Sequence, residues 1–180
     1  MRYLTCDPNA ETLAVNILAC IDKLRGLPAG PILERHGLTN LQPTDWVPTH
    51  RFLDALNEMG QQADFMSALI AIGMSVGEVI PVPCETLGLA GVLNLWNDLY
   101  QGAHRSGDVG RIVCEEEHRT HFKLTFSDLY PDDFSYGIMY GFAKRFLPPG
   151  TQFSIYYDPR VTPRDRGGQE GYTVIHAKWQ

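Results

Sequence analysis

His104-Arg105-Ser106-Gly107-Asp108 gathers the most reactive mixture of side chains in the sequence on one short segment. The imidazole titrates near neutral pH, and the guanidinium can hold a carboxylate or phosphate through two parallel hydrogen bonds. Gly107 predicts a loop, and loops on a rigid scaffold often carry binding sites. The other interpretation is an exposed loop in which Arg105 and Asp108 form an ion pair of little energetic value.

A second group with possible chemistry is Cys114, His118 and His121, which are residue types that bind zinc. Tetrahedral zinc needs a fourth ligand, and no fourth residue is identifiable, so a buried thiol and two solvated histidines are expected instead. The sequence has no Cys-x-x-Cys pair, which predicts free thiols at Cys6, Cys20, Cys84 and Cys114.

Two glycines four residues apart mark the segment Phe134–Phe146. The segment has a helical pattern, so Gly137 and Gly141 lie on one face of the predicted helix. Each glycine in a helix interior costs about 1 kcal/mol relative to alanine. The pair therefore indicates close approach, either of other backbone, which is the favoured interpretation, or of a ligand.

The elements that must position these groups begin with helices. An apolar stripe with helical period follows Asp7-Pro8, a typical helix start, and ends at Gly26. Further helices are predicted at Pro31–His36, Phe52–Gly60, Phe65–Val76, Glu85–Tyr100 and Pro131–Phe146. The Phe65–Val76 segment is apolar on nearly every side, which predicts a buried helix, and the glycines, serines and proline around it argue against a membrane span.

After Gly110 the apolar period changes to two residues, which is typical of strands. Four strands are predicted, with a turn at Glu116-Glu117 and a long polar loop before the last strand: Arg111–Glu115, His121–Phe126, Phe153–Tyr157 and Tyr172–Trp179. The order predicts an α+β fold, in which an N-terminal helical half precedes an antiparallel sheet of two hairpins with an intervening helix. Residues 1–180 are expected to form one domain, with residues 1–47 as a helical extension.

Composition narrows the classes of function. A chain of 180 residues with 44% apolar residues suits one domain with a sizeable core. The formal charge of −6 and the lack of a lysine and arginine cluster argue against binding to nucleic acid. The N-terminus shows no apolar signal segment, which predicts a cytoplasmic protein.

The order of elements from about Thr49 to Trp179, together with the glycine-containing helix Phe134–Phe146, resembles a group of related domains. The group contains the 4-vinyl-reductase-like ligand-binding domains, the haem-nitric-oxide-binding domains and the small subunits of the TRAPP tethering complex. The resemblance implies a shared fold and leaves the function open, because one fold hosts several functions.

Two of these relatives imply metal-containing groups. Haem-nitric-oxide-binding domains place an axial histidine late in a helix before the sheet, a position similar to that of His104. They also hold the haem propionates with a Tyr-x-Ser-x-Arg motif, which Tyr100–Ser106 matches only loosely, so haem or another tetrapyrrole is a possible cofactor. Vinyl-reductase-like domains often carry a zinc site near the C-terminal strands, but Gly167–Tyr172 contains no cysteine.

An apolar pocket is expected where the predicted helices Phe65–Val76, Glu85–Tyr100 and Phe134–Phe146 meet. A ligand pocket needs a volume of about 300 Å³ or more, and the alternative is a filled core beside an inert loop. His104 and Arg105 would hold the acidic end of an amphipathic ligand such as a tetrapyrrole or a fatty acid. The predicted ligand-binding residues are Trp96, Tyr100, His104, Arg105, Tyr136, Gly137, Met139, Tyr140 and Gly141.

The favoured function is a small-molecule-binding sensory or carrier domain without catalytic residues or a bound metal. The alternatives are an enzyme of tetrapyrrole metabolism, for which no nucleotide-binding glycine loop is present, and a dimeric assembly or tethering subunit. A homodimer is expected by analogy with the vinyl-reductase-like relatives. A signal would pass to a separate effector protein, and no membrane span is expected.

Overall fold

A computed structural model describes residues 7–24, 28–61 and 66–180. The helix end expected at Gly26, the helix start expected at Phe65 and the thiol of Cys6 lie outside these residues. Within the described ranges, no helix is both long enough and apolar enough to cross a membrane. The described cysteines, Cys20, Cys84 and Cys114, are free thiols.

The helices of the described ranges are α1 (Ala14–Lys23), α2 (Gly30–Arg35), α3 (Thr49–Gly60), α4 (Met66–Val79), α5 (Gly88–Gly102) and α6 (Asp132–Phe146). Helix α5 buries one face, and that face includes Trp96 and Tyr100. Helix α6 has acidic residues in its first turn and basic residues in its last, which complement the helix dipole.

The larger sheet contains β4 (Ile112–His118), β5 (His121–Phe126), β6 (Phe153–Tyr157) and β7 (Thr173–Trp179). The strand order is β4-β5-β7-β6, and every pair is antiparallel, so the predicted α+β fold with two hairpins is confirmed. Strand β5 alternates as predicted, with Phe122 and Leu124 buried. The turn predicted at Glu116-Glu117 is wrong, because β4 continues to His118 through an irregularity.

A smaller antiparallel sheet, in the order β2-β1-β3, was not predicted. It consists of β1 (Glu11–Leu13), β2 (Trp46–Pro48) and β3 (His104–Arg105). The helix start predicted at Asp7-Pro8 is wrong, because the backbone of β1 pairs with two distant strands before α1 begins. His104 and Arg105 likewise lie on a strand rather than in a loop, and this pairing fixes the position of the His104 imidazole.

Helices α4 and α6 approach each other through glycines. A Cβ atom added to Gly141 would overlap the carbonyl oxygen of Met74 and would lie 3.0 Å from the Cα of Gly77. Gly137 meets the backbone of Ile70 in the same way. The predicted close approach is therefore confirmed, and the partner is the backbone of α4.

Candidate functional site

A cavity of about 80 Å³ lies where α1, α4, α5 and α6 meet. Its walls are mostly apolar and include Ile17, Val76 and Ile138. Trp96 packs edge-to-face against Phe126 and Phe142, with ring centroids 5.1 Å apart in both pairs. These aromatic rings fill much of the space between the helices, so the expected volume of about 300 Å³ is not reached.

His104 forms the polar end of this cavity. Its Nδ1 atom lies 2.7 Å from the carbonyl oxygen of Tyr100, and its Nε2 atom lies 3.0 Å from the hydroxyl of Tyr130. A carbonyl oxygen can only accept, so Nδ1 carries the hydrogen and Nε2 presents a lone pair to Tyr130. Burial lowers the pKa of His104, which favours the neutral imidazole that this arrangement requires.

Buried hydroxyl groups extend the polar end beyond the histidine. The hydroxyl of Tyr130 lies 3.4 Å from Thr12 Oγ1, which in turn lies 2.9 Å from Thr49 Oγ1. Both threonines are fully buried. The chain of contacts links β1, the start of α3, β3 and the segment before α6. A substitution at Tyr130 would therefore disturb hydrogen bonds that connect four parts of the fold.

One carboxyl group also lines the cavity, and no lysine or arginine does so among the described residues. Asp128 is buried and pairs with Arg164, whose Nη2 atom lies 2.9 Å from Asp128 Oδ1. Burial raises the pKa of Asp128 to about 6, although the neighbouring guanidinium opposes the rise. The described walls of the cavity therefore offer no positive charge to an anionic ligand.

Three of the predicted ligand-binding residues, Trp96, Tyr100 and His104, line the cavity. Arg105 lies elsewhere: its Nε atom donates to Glu11 Oε2 at 2.7 Å, and its guanidinium stacks over the ring of Trp46. On β3, His104 is buried and Arg105 is exposed, because successive residues of a strand point to opposite faces.

The predicted residues of α6 do not line the cavity, which contacts that helix at Phe134, Ile138 and Phe142 instead. The Tyr136 hydroxyl donates to the carbonyl oxygen of Ile155, Tyr140 packs on Phe153, and Met139 is buried in the core. The glycine pair faces α4. The glycines gave the strongest sequence signal on this helix, and in the structure that signal corresponds to helix packing.

Tyr130, Thr12 and Asp128 belong to the site although sequence reasoning did not select them. Tyr130 lies 26 positions from His104, and Thr12 lies 118 positions from Tyr130. No local pattern connects residues so far apart.

The group Cys114, His118 and His121 does not assemble. Cys114 lies half-buried on β4, where burial raises its pKa to about 11, and His118 is exposed at the end of the same strand. His121 instead meets Glu117 and His176 on the outer face of the larger sheet.

Replacing Tyr130 with phenylalanine is expected to lower the free energy of unfolding by about 1–3 kcal/mol, because His104 Nε2 loses its buried donor. Urea denaturation measures this loss. Tyr140→Phe is the matched control, since the Tyr140 ring packs on Phe153 at the edge of the core and its hydroxyl is not part of the chain of contacts. Equal stability of the two variants would contradict the importance of the His104–Tyr130 contact.

Comparison with solved structures identifies the fold of the chain. An oxygen-binding H-NOX domain related to soluble guanylate cyclases, in its oxygen complex, matches with a TM-score of 0.65 and 13% identity, over 93% of this chain and 95% of that chain. An H-NOX protein from S. oneidensis in the Fe(II) ligation state matches with a TM-score of 0.65 and 12% identity, over 93% and 95% of the two chains. The chain has the H-NOX fold.

No protein-family model and no curated protein sequence matches the chain. The H-NOX fold agrees with one of the three expected resemblances, and the comparisons lend no support to the vinyl-reductase-like or TRAPP alternatives. The TM-scores of 0.65 establish the fold, whereas identities of 12–13% leave the ligand to be argued from this chain's own residues.

Proposed function

We propose that the chain is a small-molecule-binding sensory domain in which a compact, uncharged ligand occupies the cavity beside His104 and Tyr130. The observation that carries this proposal is the buried imidazole–phenol pair at the end of a mostly apolar cavity. Apolar cavities with a few convergent polar groups are the usual sites for small ligands. The H-NOX fold supports the proposal, because solved structures of that fold include an oxygen complex.

The size of the cavity limits the ligand. At about 80 Å³ it has roughly half the volume of an engineered cavity of 150 Å³ that binds benzene or xenon. A diatomic gas or a short alcohol matches this space, whereas a fatty acid does not. Asp128 on the wall is already paired with Arg164, and the described lining residues include no lysine or arginine, so the expected anionic ligand is replaced here by an uncharged one.

Haem does not fit these residues as they are arranged. The His104 tautomer, with Nδ1 donating to a carbonyl oxygen, is the one that a metal-ligating histidine adopts. A tetrapyrrole, however, is several times larger than the cavity, its propionates would find no arginine or lysine among the described lining residues, and Tyr130 occupies the Nε2 lone pair. No step of the proposed function therefore passes through haem.

The hydrogen bond between Tyr130 and His104 supports a sensory role, because it connects β3 to the segment before α6. His104 lies on β3, and Tyr130 directly precedes the first turn of α6. A ligand that inserts its own hydrogen-bonding group between them would release the segment before α6 from β3. The effector protein, the homodimer and the cytoplasmic location stay predictions.

Titration with xenon and with ethanol, followed by NMR of the Ile17, Val76 and Ile138 methyl groups, tests the proposal. We expect both probes to shift these resonances. Tyr130→Phe should weaken ethanol binding about 3–10-fold, the loss of one hydrogen bond, and should leave xenon binding unchanged. Tyr140→Phe should bind both probes like the wild type.

The proposal fails if neither probe shifts those methyl resonances, or if ethanol binds wild type and Tyr130→Phe equally. A haemin titration gives a separate readout. A stoichiometric complex with a Soret band that disappears in His104→Ala would replace the proposal with haem binding, and the absence of such a complex is the result we expect.

A further inference from the structure

The outer face of the larger sheet carries two imidazoles and a carboxylate within reach of one another. His121 on β5 and His176 on β7 lie with their Nε2 and Nδ1 atoms 3.0 Å apart. A carboxylate oxygen of Glu117 lies 3.3 Å from His121 Nδ1. One ligand atom from each residue can be chosen so that all three lie within 4.8 Å of one another.

Strand pairing brings these residues together. In the register of β5 and β7, Lys123 lies opposite His176, so His121 is the diagonal neighbour on the same face. Glu117 occupies the irregularity of β4 between Glu116 and His118. Strand irregularities of this kind re-aim a side chain and are frequent beside functional sites.

Asp158 fixes the tautomer of the buried histidine. His176 Nε2 lies 3.2 Å from Asp158 Oδ2, which also accepts a hydrogen bond from Arg160 Nη2 at 2.7 Å. The Asp158 carboxylate, held by the Arg160 guanidinium, accepts the Nε2 hydrogen of His176, which leaves the Nδ1 lone pair of His176 directed at His121. A carboxylate that orients a histidine through its second nitrogen is typical of metal sites.

We propose that Glu117, His121 and His176 bind a divalent transition-metal ion of the zinc class, with water as the fourth ligand. Two neutral imidazoles and one carboxylate are an established donor set for a four-coordinate ion with an open position. The two facing nitrogens need to separate by only a few tenths of an ångström to match tetrahedral geometry, since Zn–N bonds are about 2.0–2.1 Å.

The surroundings suit an accessible ion. The side chain of Glu117 is 41% exposed, so it can rotate to follow the metal, and that of His176 is 5% exposed and rigidly held. The Tyr156 ring stacks on His176 with centroids 5.0 Å apart, which fixes the imidazole plane. The site is independent of the cavity, because the outward residues of β5 point away from its buried residues Phe122 and Leu124.

The test uses tag-free full-length protein, Zn²⁺ in calorimetry and Co²⁺ in visible absorption spectroscopy. We expect one Zn²⁺ per chain, and Co²⁺ bands that vanish when Zn²⁺ is added. His121→Gln and Glu117→Gln should each weaken binding at least about tenfold, as loss of a metal-site residue does. Both variants change residues at the surface, and circular dichroism checks that they fold.

His118→Ala and Cys84→Ser are the controls, because they remove an adjacent exposed imidazole and an exposed thiol outside the cluster. Both should bind Zn²⁺ like the wild type. The proposal is overturned if the wild type shows no stoichiometric binding below about 100 μM, an affinity too weak for a preformed site. It is also overturned if His121→Gln keeps wild-type affinity or if either control loses it.

Discussion

Replacing Arg164 with glutamine is expected to lower the free energy of unfolding at pH 8 by about 3–5 kcal/mol, the usual loss when one partner of a buried ion pair is removed. The Arg164 side chain is 10% exposed and lies 2.9 Å from Asp128 and 2.7 Å from Asp132, both buried. It also donates to the carbonyl oxygen of Asp128 at 2.6 Å. The variant would leave two buried carboxyl groups without a counter-charge.

The same variant should recover part of its stability in acid. Burial already raises the pKa of Asp128 to about 6, and Arg164 opposes that rise, so removing Arg164 raises the pKa further. An unfolded aspartate titrates near 3.9, so the folded variant binds the proton more tightly than the unfolded chain does. The stabilisation that protonated Asp128 contributes to the variant is therefore present at low pH and is lost as the pH rises through the pKa of Asp128 in the folded variant.

Urea denaturation at pH 5 and pH 8 measures both effects, and the gap between wild type and Arg164→Gln should narrow at pH 5. Arg166→Gln is the matched control, since Arg166 is on the same loop, is 59% exposed and lies 3.6 Å from Asp133. It should change stability little at either pH. A loss for Arg164→Gln that is no larger than that of the control would show that the buried ion pairs do not hold this loop.

Replacing Gly141 with alanine is expected to destabilise the protein by about 2 kcal/mol. The added Cβ would overlap the carbonyl oxygen of Met74 and crowd Gly77, so α4 and α6 would have to separate. Overpacking of this kind costs about 1–3 kcal/mol and occasionally more. The intrinsic preference of helices for alanine over glycine, about 1 kcal/mol, acts in the opposite direction and is the smaller effect.

Gly102→Ala supplies the comparison, because Gly102 ends α5 and an added Cβ there meets no atom within 4 Å. A chain of this size loses about 2–4 °C in Tm for each kcal/mol, so Gly141→Ala should melt roughly 4–8 °C below the wild type. Gly102→Ala should melt at or slightly above the wild-type temperature. Similar melting of both variants would mean that the two helices can separate without loss.

The cavity and the cluster of Glu117, His121 and His176 lie on opposite sides of the larger sheet. The buried side offers space and one hydrogen-bonding pair to a neutral ligand, whereas the outer side offers three metal-binding groups. Their tests do not depend on each other, because Tyr130→Phe leaves the cluster intact and His121→Gln leaves the cavity intact. Loss of one binding activity would therefore leave the other proposal standing.

Periodicity predicted the elements that are long enough to show a period. The strands His121–Phe126 and Phe153–Tyr157 have the predicted bounds, and α6 begins and ends within one residue of its prediction. The elements that were missed, such as β1 and β3, are two or three residues long. A period cannot be recognised over so few residues, and these strands exist because distant backbone groups pair with them.

The sequence by itself determined the α+β fold, the two hairpins and the close approach at Gly137 and Gly141, because these follow from local period and from the steric demands of glycine. Only the tertiary structure decided which face of α6 lines the cavity, that Arg105 lies outside it, and that Arg164 is a buried ion-pair partner in a loop expected to be polar. The physical reason is that burial and hydrogen-bond partnership belong to pairs of residues far apart in the chain. The His104–Tyr130 and His121–His176 contacts span 26 and 55 positions, and no local pattern specifies them.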